Sequence, residues 1–140
     1  MGSGNGNEHR EDVGAVVRWC RQRARREVGR ARQLQKHKLA GKTLRQSCIE
    51  LGLTRDQFRD ARRWLNRALS ISLDDQAHLT VDDAIVVYAE QYVELVLRVG
   101  LMRRAGRSAQ EIRKHLGLSE DEFLIVDGWW RDGMTATMEE

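Results

Sequence analysis

The chain has 140 residues, enough for one ordinary domain or two very small ones, and its 41% of hydrophobic residues can form a core. It contains no proline, the residue that helix interiors tolerate least, so the composition favours helices. No apolar stretch lacks charge for long enough to cross a bilayer, and the N-terminus carries no apolar secretory segment. We therefore expect a cytoplasmic protein with no membrane partner.

The formal net charge of +3 conceals a strong difference between the two halves of the chain. Residues 1–70 hold 17 Lys+Arg against 7 Asp+Glu, a net of +10. Residues 71–140 hold 7 against 14, a net of −7. This polarity predicts that the first half binds a polyanion, and that the second half faces water, a protein, or the first half of another chain.

The first predicted elements are a flexible N-terminal arm over residues 1–10 and a long helix over residues 11–38. In this helix apolar side chains recur at helical spacing and form one stripe, while most arginines fall on the other side. The basic side can contact the phosphates of a polyanion. The apolar stripe consists of Val13, Val17, Cys20, Ala24, Val28, Ala31 and Leu34.

Two short helices follow, over residues 44–51 and 55–68, and complete a basic half over residues 11–69. A capping box opens each of them, in which a Thr caps the helix and a Gln three residues later reaches back to the cap. Gly52 lies between the helices, where a residue with positive φ can end the first one. The two boxes are Thr43 with Gln46 and Thr54 with Gln57.

A connector over residues 70–79 leads to a second long helix over 81–103, which Thr80 opens. This helix is apolar nearly all round, so we expect it to be buried inside the fold or at an oligomer interface.

Two more short helices complete an acidic half over residues 80–134, before a flexible tail over 135–140. They are predicted over 109–116 and 120–131, with Gly117 between them. Their capping boxes are Ser108 with Glu111 and Ser119 with Glu122.

The two halves match each other when the chain is shifted by 65 residues, and all four capping boxes then coincide. Such a match indicates an internal duplication rather than a solenoid, because the period is long and the copies are few. The identical pairs are Ala40/Ala105, Gly41/Gly106, Leu51/Leu116, Gly52/Gly117, Leu53/Leu118, Asp56/Asp121, Phe58/Phe123 and Trp64/Trp129.

Each pair of short helices resembles the helix-turn-helix superfamily, in which a small residue, a turn glycine and an apolar second helix follow in order. The resemblance implies an all-α fold: a duplicated long helix plus helix-turn-helix unit, whose copies can pack as a pseudo-dimer. In the second copy Arg113, beside Ile112, replaces the small residue. The matching residues are Cys48, Gly52, Leu53, Phe58, Ala61 and Leu65 in the first copy, and Gly117, Leu118, Phe123, Val126 and Trp130 in the second.

The resemblance also implies that the helix from Arg55 is the recognition helix of a unit that binds double-stranded DNA. Arginine can donate two hydrogen bonds to guanine and asparagine two to adenine, whereas phosphate contacts give affinity without sequence information. The predicted base-reading residues are Arg55, Arg59, Arg62 and Asn66, with Arg63 and Arg67 on their flank, and the predicted phosphate contacts are Lys42, Thr43 and Arg45.

The matching helix of the second copy carries different chemistry, so we predict that it does not bind DNA. It presents Glu120, Leu124, Asp127 and Arg131 at the positions of the base-reading residues. We expect a homodimer or another protein partner to bind through this half, using helix 81–103 or the tryptophan region. The predicted interface residues are Leu124, Ile125, Trp129 and Trp130, although a core role for Trp129 and Trp130, as for Trp64, is the alternative.

Enzymatic activity is not expected. Cys20 and Cys48 make no disulfide framework and, together with the four histidines, show no close-pair metal spacing. The paired acids stand at helix starts, where carboxylates favour the helix dipole, and no phosphate-cradling glycine loop is present. We expect no cofactor, no metal and no small-molecule substrate.

These features together predict a DNA-binding transcriptional regulator, with the first helix-turn-helix on DNA and the second copy used for dimerisation or partner contact. The alternative is a protein-binding adaptor or anti-activator whose helix-turn-helix units contact proteins instead of DNA. Its basic half would then dock an acidic partner. Salt dependence distinguishes the two hypotheses poorly, because both modes of binding are electrostatic. A sequence preference in DNA binding distinguishes them well.

Overall fold

The computed structural model describes residues 2–74 and 78–138, with the side chains of residues 2–12 outside the description. These residues form six α-helices and no strand, which confirms the predicted all-α fold. No helix among them is both long and apolar enough to cross a membrane. The helices are α1 (Gly2–Leu39), α2 (Leu44–Glu50), α3 (Arg55–Asp74), α4 (Val81–Arg104), α5 (Ala109–Leu116) and α6 (Glu120–Met138).

The capping residues begin the short helices where the sequence predicts. The Thr43 hydroxyl accepts a hydrogen bond from the Gln46 backbone N–H at 3.1 Å, and the Gln46 side chain accepts one from the Thr43 N–H at 2.9 Å. At α5 the Ser108 hydroxyl accepts from the Glu111 N–H and donates to the Glu111 carboxylate, both at 3.2 Å. Gly52 and Gly117 take φ of +64° and +66°, as predicted for the turn position.

Both α3 and α6 extend further than the sequence predicts. Ser70 and Ser72 are typical of turns, yet their hydroxyls donate to the carbonyl oxygens of Asn66 and Leu79, and α3 continues to Asp74. In α6 the helix continues through Gly133, which is buried against Trp19. Tertiary packing therefore outweighs the weak helix propensity of these residues.

The predicted arm, connector and tail each include residues that the structure does not describe. Of the connector, residues 75–77 lie outside it, and residues 139–140 of the tail do as well. The predicted arm falls on Met1, which is outside the described residues, and on the first turns of α1, whose side chains are not described. Flexibility of the arm and of the tail stays a prediction.

The chain forms two compact units, and each includes parts of both long helices. The central unit spans residues 23–91, and the terminal unit combines residues 1–22 with 92–140. The first residues of the short helices are offset by 65: α2 and α5 begin at 44 and 109, and α3 and α6 at 55 and 120. An internal duplication would produce this offset, and the duplication itself stays a prediction.

The core of the central unit packs small residues around one tryptophan. The Trp64 ring meets Tyr88 edge to face, with ring centroids 5.0 Å apart. Its buried apolar residues are Ala24, Ala31, Leu34, Ala61, Trp64, Leu65, Ala68, Ala84, Ile85 and Ala89.

The core of the terminal unit is built around two tryptophans of α6. Trp129 meets Tyr92 edge to face at 4.8 Å, and Trp130 lies directly over Gly100, where a Cβ atom would stand 2.1 Å from the indole. One side of α4 is buried, including Ile85, Val96 and Val99, whereas Leu101 is 47% exposed, so the burial of this apolar helix inside the fold is only partial.

The structure corrects one position of the helix-turn-helix pattern. Ser47, not Cys48, is the small buried residue of α2, and its counterpart in α5 is the buried Ile112. Cys48 is half-buried instead, and its thiol donates to the carbonyl of Leu53 at 3.4 Å. The side chain of Arg113 makes the same contact in α5, to the carbonyl of Leu118 at 3.5 Å.

Candidate nucleic-acid interface

Helix α3 has one buried face and one exposed face, as the sequence predicts. Ala61, Trp64, Leu65 and Ala68 are buried, and Phe58 is half-buried beside them. Because α3 is fixed along this face, the opposite face is held out toward solvent with little freedom to turn.

The exposed face carries a dense row of cationic and amide donors. Arg55 stands at the first turn, and the remaining donors follow along the helix and line an open depression of about 390 Å³. Ser70 belongs to this row, although the sequence predicts it in the connector. Ser70 lies four residues after Asn66, so it falls on the same face if the helix continues. This spacing was the available signal. The lining residues are Arg59, Arg62, Arg63, Asn66, Arg67 and Ser70.

Ion pairs within α3 divide its arginines into two groups. Arg59 lies 3.6 Å from Asp56, and Arg63 lies 2.9 Å from Asp60, each one turn away on the same helix. Arg55, Arg62 and Arg67 have no acidic partner in the described part of the chain, and Arg45 at the start of α2 likewise has none. Exposed ion pairs contribute only about 0–1 kcal/mol, so a phosphate can replace Asp56 or Asp60 at small cost.

The three predicted phosphate contacts before and within α2 differ in availability. The Lys42 ammonium donates to Glu50, and this hydrogen bond, together with the positive charge of Lys42, holds the pKa of Glu50 below its ordinary value. The Thr43 hydroxyl accepts the capping hydrogen bond of α2, and its own hydrogen can still donate to a phosphate. Arg45 is exposed. Of the two cations, Arg45 is therefore the one without an acidic partner in the described part of the chain.

Glu27 of the central unit is a buried carboxylate that the sequence did not predict. Glu27 accepts a hydrogen bond from Arg30 at 3.1 Å through one oxygen, while its other oxygen is buried without a hydrogen-bond partner. Burial raises the pKa of Glu27, and the nearby charge of Asp60 adds to the effect. The buried stripe of α1 passes through Val16 and Glu27 rather than Val17 and Val28. The regular spacing of positions 20, 24, 27, 31 and 34 was the available signal.

Comparison of the chain with protein-family models, with curated proteins and with solved structures finds no match. The helix-turn-helix resemblance therefore depends on the residues named above.

The helix of the second copy presents the predicted face at three of its four positions, and the fourth is buried. Asp127 was placed outward with Glu120, Leu124 and Arg131, but its side chain is only 1% exposed, so this prediction is wrong. Arg103 of α4 covers the carboxylate, donating to it from Nε at 3.1 Å, and Arg131 approaches it to 3.0 Å. A projection of α6 alone cannot show a partner that comes from another helix.

The predicted protein-interface residues fall into two classes. Trp129 and Trp130 are each only 5% exposed and occupy the core of the terminal unit, the alternative role given for them. Leu124 is 52% exposed and Ile125 is half-buried. A partner meeting α6 from solvent would therefore contact Leu124 first.

No group of three His, Cys, Asp or Glu side chains is placed to hold a metal ion within residues 2–74 and 78–138. Cys20 and Cys48 are not joined in a disulfide.

Proposed function

We propose that the central unit binds double-stranded DNA, with α3 in the major groove, and that the protein regulates transcription. One observation carries the proposal: Arg62 and Asn66 stand one turn apart on an exposed helix face, with no acid of the described chain paired to Arg62. Side chains of this kind on a helix-turn-helix second helix can reach base edges.

Within this proposal the donors of the central unit have separate tasks. Arg62 would donate to guanine and Asn66 to adenine, each through two hydrogen bonds. Arg45, Arg55 and Arg67 would neutralise phosphates and fix the register of α3 on the duplex. Arg59 and Arg63 would exchange their carboxylate partners for phosphates as the complex forms.

One recognition helix contacts few base pairs, so the proposal includes a dimer that places two central units on one DNA site. Leu124, an exposed apolar residue in the second turn of α6, supports this part of the proposal. The acids at the start of α6 support a role for that helix away from DNA, since phosphates would repel them.

Selection from a random duplex library at about 0.15 M salt, where phosphate contacts are still effective, tests the proposal. The full chain is expected to enrich a short motif that contains guanine and adenine. Binding without any enriched motif would exclude base reading by α3. Absence of binding would exclude the DNA-binding function.

A second candidate, the protein-binding adaptor, is favoured by one feature of the central unit. Leu39 and Ile49 are 77% and 70% exposed at the end of α1 and on α2, and Leu44 is exposed nearby. An acidic partner with an apolar patch would fit these residues beside the basic face. Ile49→Glu separates the candidates: it should abolish binding of such a partner and leave the enriched DNA motif unchanged.

A further inference from the structure

The turn between α4 and α5 has the same backbone as the turn between α1 and α2. Gly41 and Gly106 take φ of +76° and +83°. The next residue, Lys42 or Arg107, donates its N–H to the carbonyl five residues earlier, at 3.1 and 3.0 Å respectively. The side chains of Lys42 and Arg107 therefore leave their turns from equivalent positions.

What the two side chains meet is different. The Lys42 ammonium is held by the Glu50 carboxylate, eight residues further along the chain. Eight residues after Arg107 the chain has His115, so the carboxylate that neutralises Lys42 has no counterpart. Arg107 is exposed, and no described residue gives it an ion-pair partner.

The surroundings of Arg107 are strongly basic, although the second half of the chain is acidic as a whole. Residues 98–115 hold six Lys+Arg and one acid, whereas residues 116–140 hold one Arg and seven acids. The one acid, Glu111, is bonded to Ser108 at the N-terminus of α5. The acidic half predicted from the sequence therefore contains one basic segment, from the end of α4 through α5, which lies between acidic stretches over residues 80–97 and from Gly117 onward.

Most arginines of the basic segment are already engaged. Arg103 binds Asp127 and lies over the Phe123 ring at 5.3 Å, and Arg104 lies over Trp130 at 5.7 Å. Arg113 donates to the Leu118 carbonyl. Arg107 and Lys114 remain, both exposed and without an acidic partner in the described part of the chain.

We infer that the α4–α5 turn is a second contact for DNA, which binds backbone phosphates through Arg107 and Lys114. The inference rests on the proposed function and adds a contact to it. Phosphate is the part of DNA that this surface fits, because it offers cationic side chains on a turn and a short helix. A contact of this kind adds affinity without changing the preferred sequence.

The test compares the full-length protein with Arg107→Ala/Lys114→Ala, by fluorescence anisotropy on the selected motif and on a random duplex. The double variant is expected to lose roughly tenfold in affinity on both DNAs at 0.15 M salt, and its salt slope should be shallower by about two. Arg98→Ala is the matched control, since Arg98 is an exposed arginine of α4 that is paired with Glu94. It should bind like the wild type.

Four other outcomes would overturn the inference, and each gives a different pattern of binding. If the double variant binds with wild-type affinity while Arg62→Ala still relaxes base preference at one position, the second contact is excluded and the proposed function stays intact. A loss confined to the selected motif would make the turn a base-reading site, and an equal loss in Arg98→Ala would show a general charge effect. Failure of the wild type itself to bind duplex DNA would overturn both proposals together. The melting temperature of each variant is measured by circular dichroism, and an unchanged value excludes unfolding as the cause.

Discussion

Arg62 and Arg59 lie one turn apart on α3 and differ in their neighbours. Arg59 is 3.6 Å from Asp56, whereas Arg62 has no acidic partner in the described chain. We predict that Arg62→Ala relaxes base preference at one position of the selected site, at a cost of about 1–3 kcal/mol. Arg67→Ala should instead weaken all sequences alike. Binding to single-base variants of the site measures both effects, and a uniform loss for Arg62→Ala would exclude base reading by this residue.

Gly100 provides a prediction about stability at a single position. A Cβ atom there would stand 2.1 Å from the ring atoms of Trp130, so Gly100→Ala must displace a buried indole. The free energy of unfolding should fall by about 1–3 kcal/mol or more, as in other overpacked cores.

The matched control for Gly100→Ala is Gly29→Ala in α1, where a Cβ meets nothing within 4 Å. That variant should gain about 0.5–1 kcal/mol, because glycine is a poor residue for a helix interior. Urea denaturation of both proteins checks the pair. Equal stability of the two variants would contradict the close packing of Trp130 on Gly100.

We expect the free energy of unfolding to depend on pH through Glu27. Burial raises the pKa of Glu27 above its ordinary value of 4.5, so the native state disfavours the ionised form. Its contribution to stability is therefore fully present below pH 4.5 and is lost as the pH rises through the native pKa. Glu27→Gln should be more stable than the wild type at pH 7, and this difference should shrink as the pH falls.

Urea denaturation at several pH values between about 4 and 7 measures this difference, over the range in which a carboxylate with a raised pKa titrates. Glu94→Gln serves as control, because Glu94 is exposed and paired with Arg98. A stability difference that stays constant with pH would show that Glu27 is not the titrating group.

At the scale of the helices, local signals determined which elements could be predicted. The short helices α2 and α5 begin at capping residues whose hydrogen bonds involve neighbours only three residues away, so their sequence is sufficient. The ends of α3 and α6 depend on packing from distant parts of the chain. Gly133, for example, packs against Trp19, and no local pattern contains that information.

The candidate site on α3 could be predicted from the sequence only in part. The exposed row on α3 follows from helical periodicity, which correctly separates Arg62 and Asn66 from the buried Trp64 and Leu65. The state of each charge does not follow from periodicity. The engagement of Lys42 by Glu50 depends on a turn, and the burial of Asp127 depends on Arg103 from another helix.

At the scale of the whole molecule, charge is distributed by segment rather than by half. The central unit includes the basic row of α3, and the terminal unit contains both the basic α4–α5 turn and the acidic start of α6. Under the proposed function, this distribution would let one chain hold DNA phosphates at more than one place, with the acids of α6 left for a protein partner.

The exposed Leu124 leads to a prediction about assembly. If α6 forms the contact between two chains, Leu124→Asp should convert a dimer to a monomer, since an isolated carboxylate in an apolar contact is costly to desolvate. Leu73→Asp is the control, because Leu73 is 85% exposed on α3 in the central unit.

Analytical ultracentrifugation measures the assembly state, and DNA selection measures its consequence. The wild type should enrich two half-sites in fixed spacing and Leu124→Asp a single one. A wild-type monomer that enriches one half-site would show that the central unit reads DNA alone, and Leu124 would then have no part in its affinity.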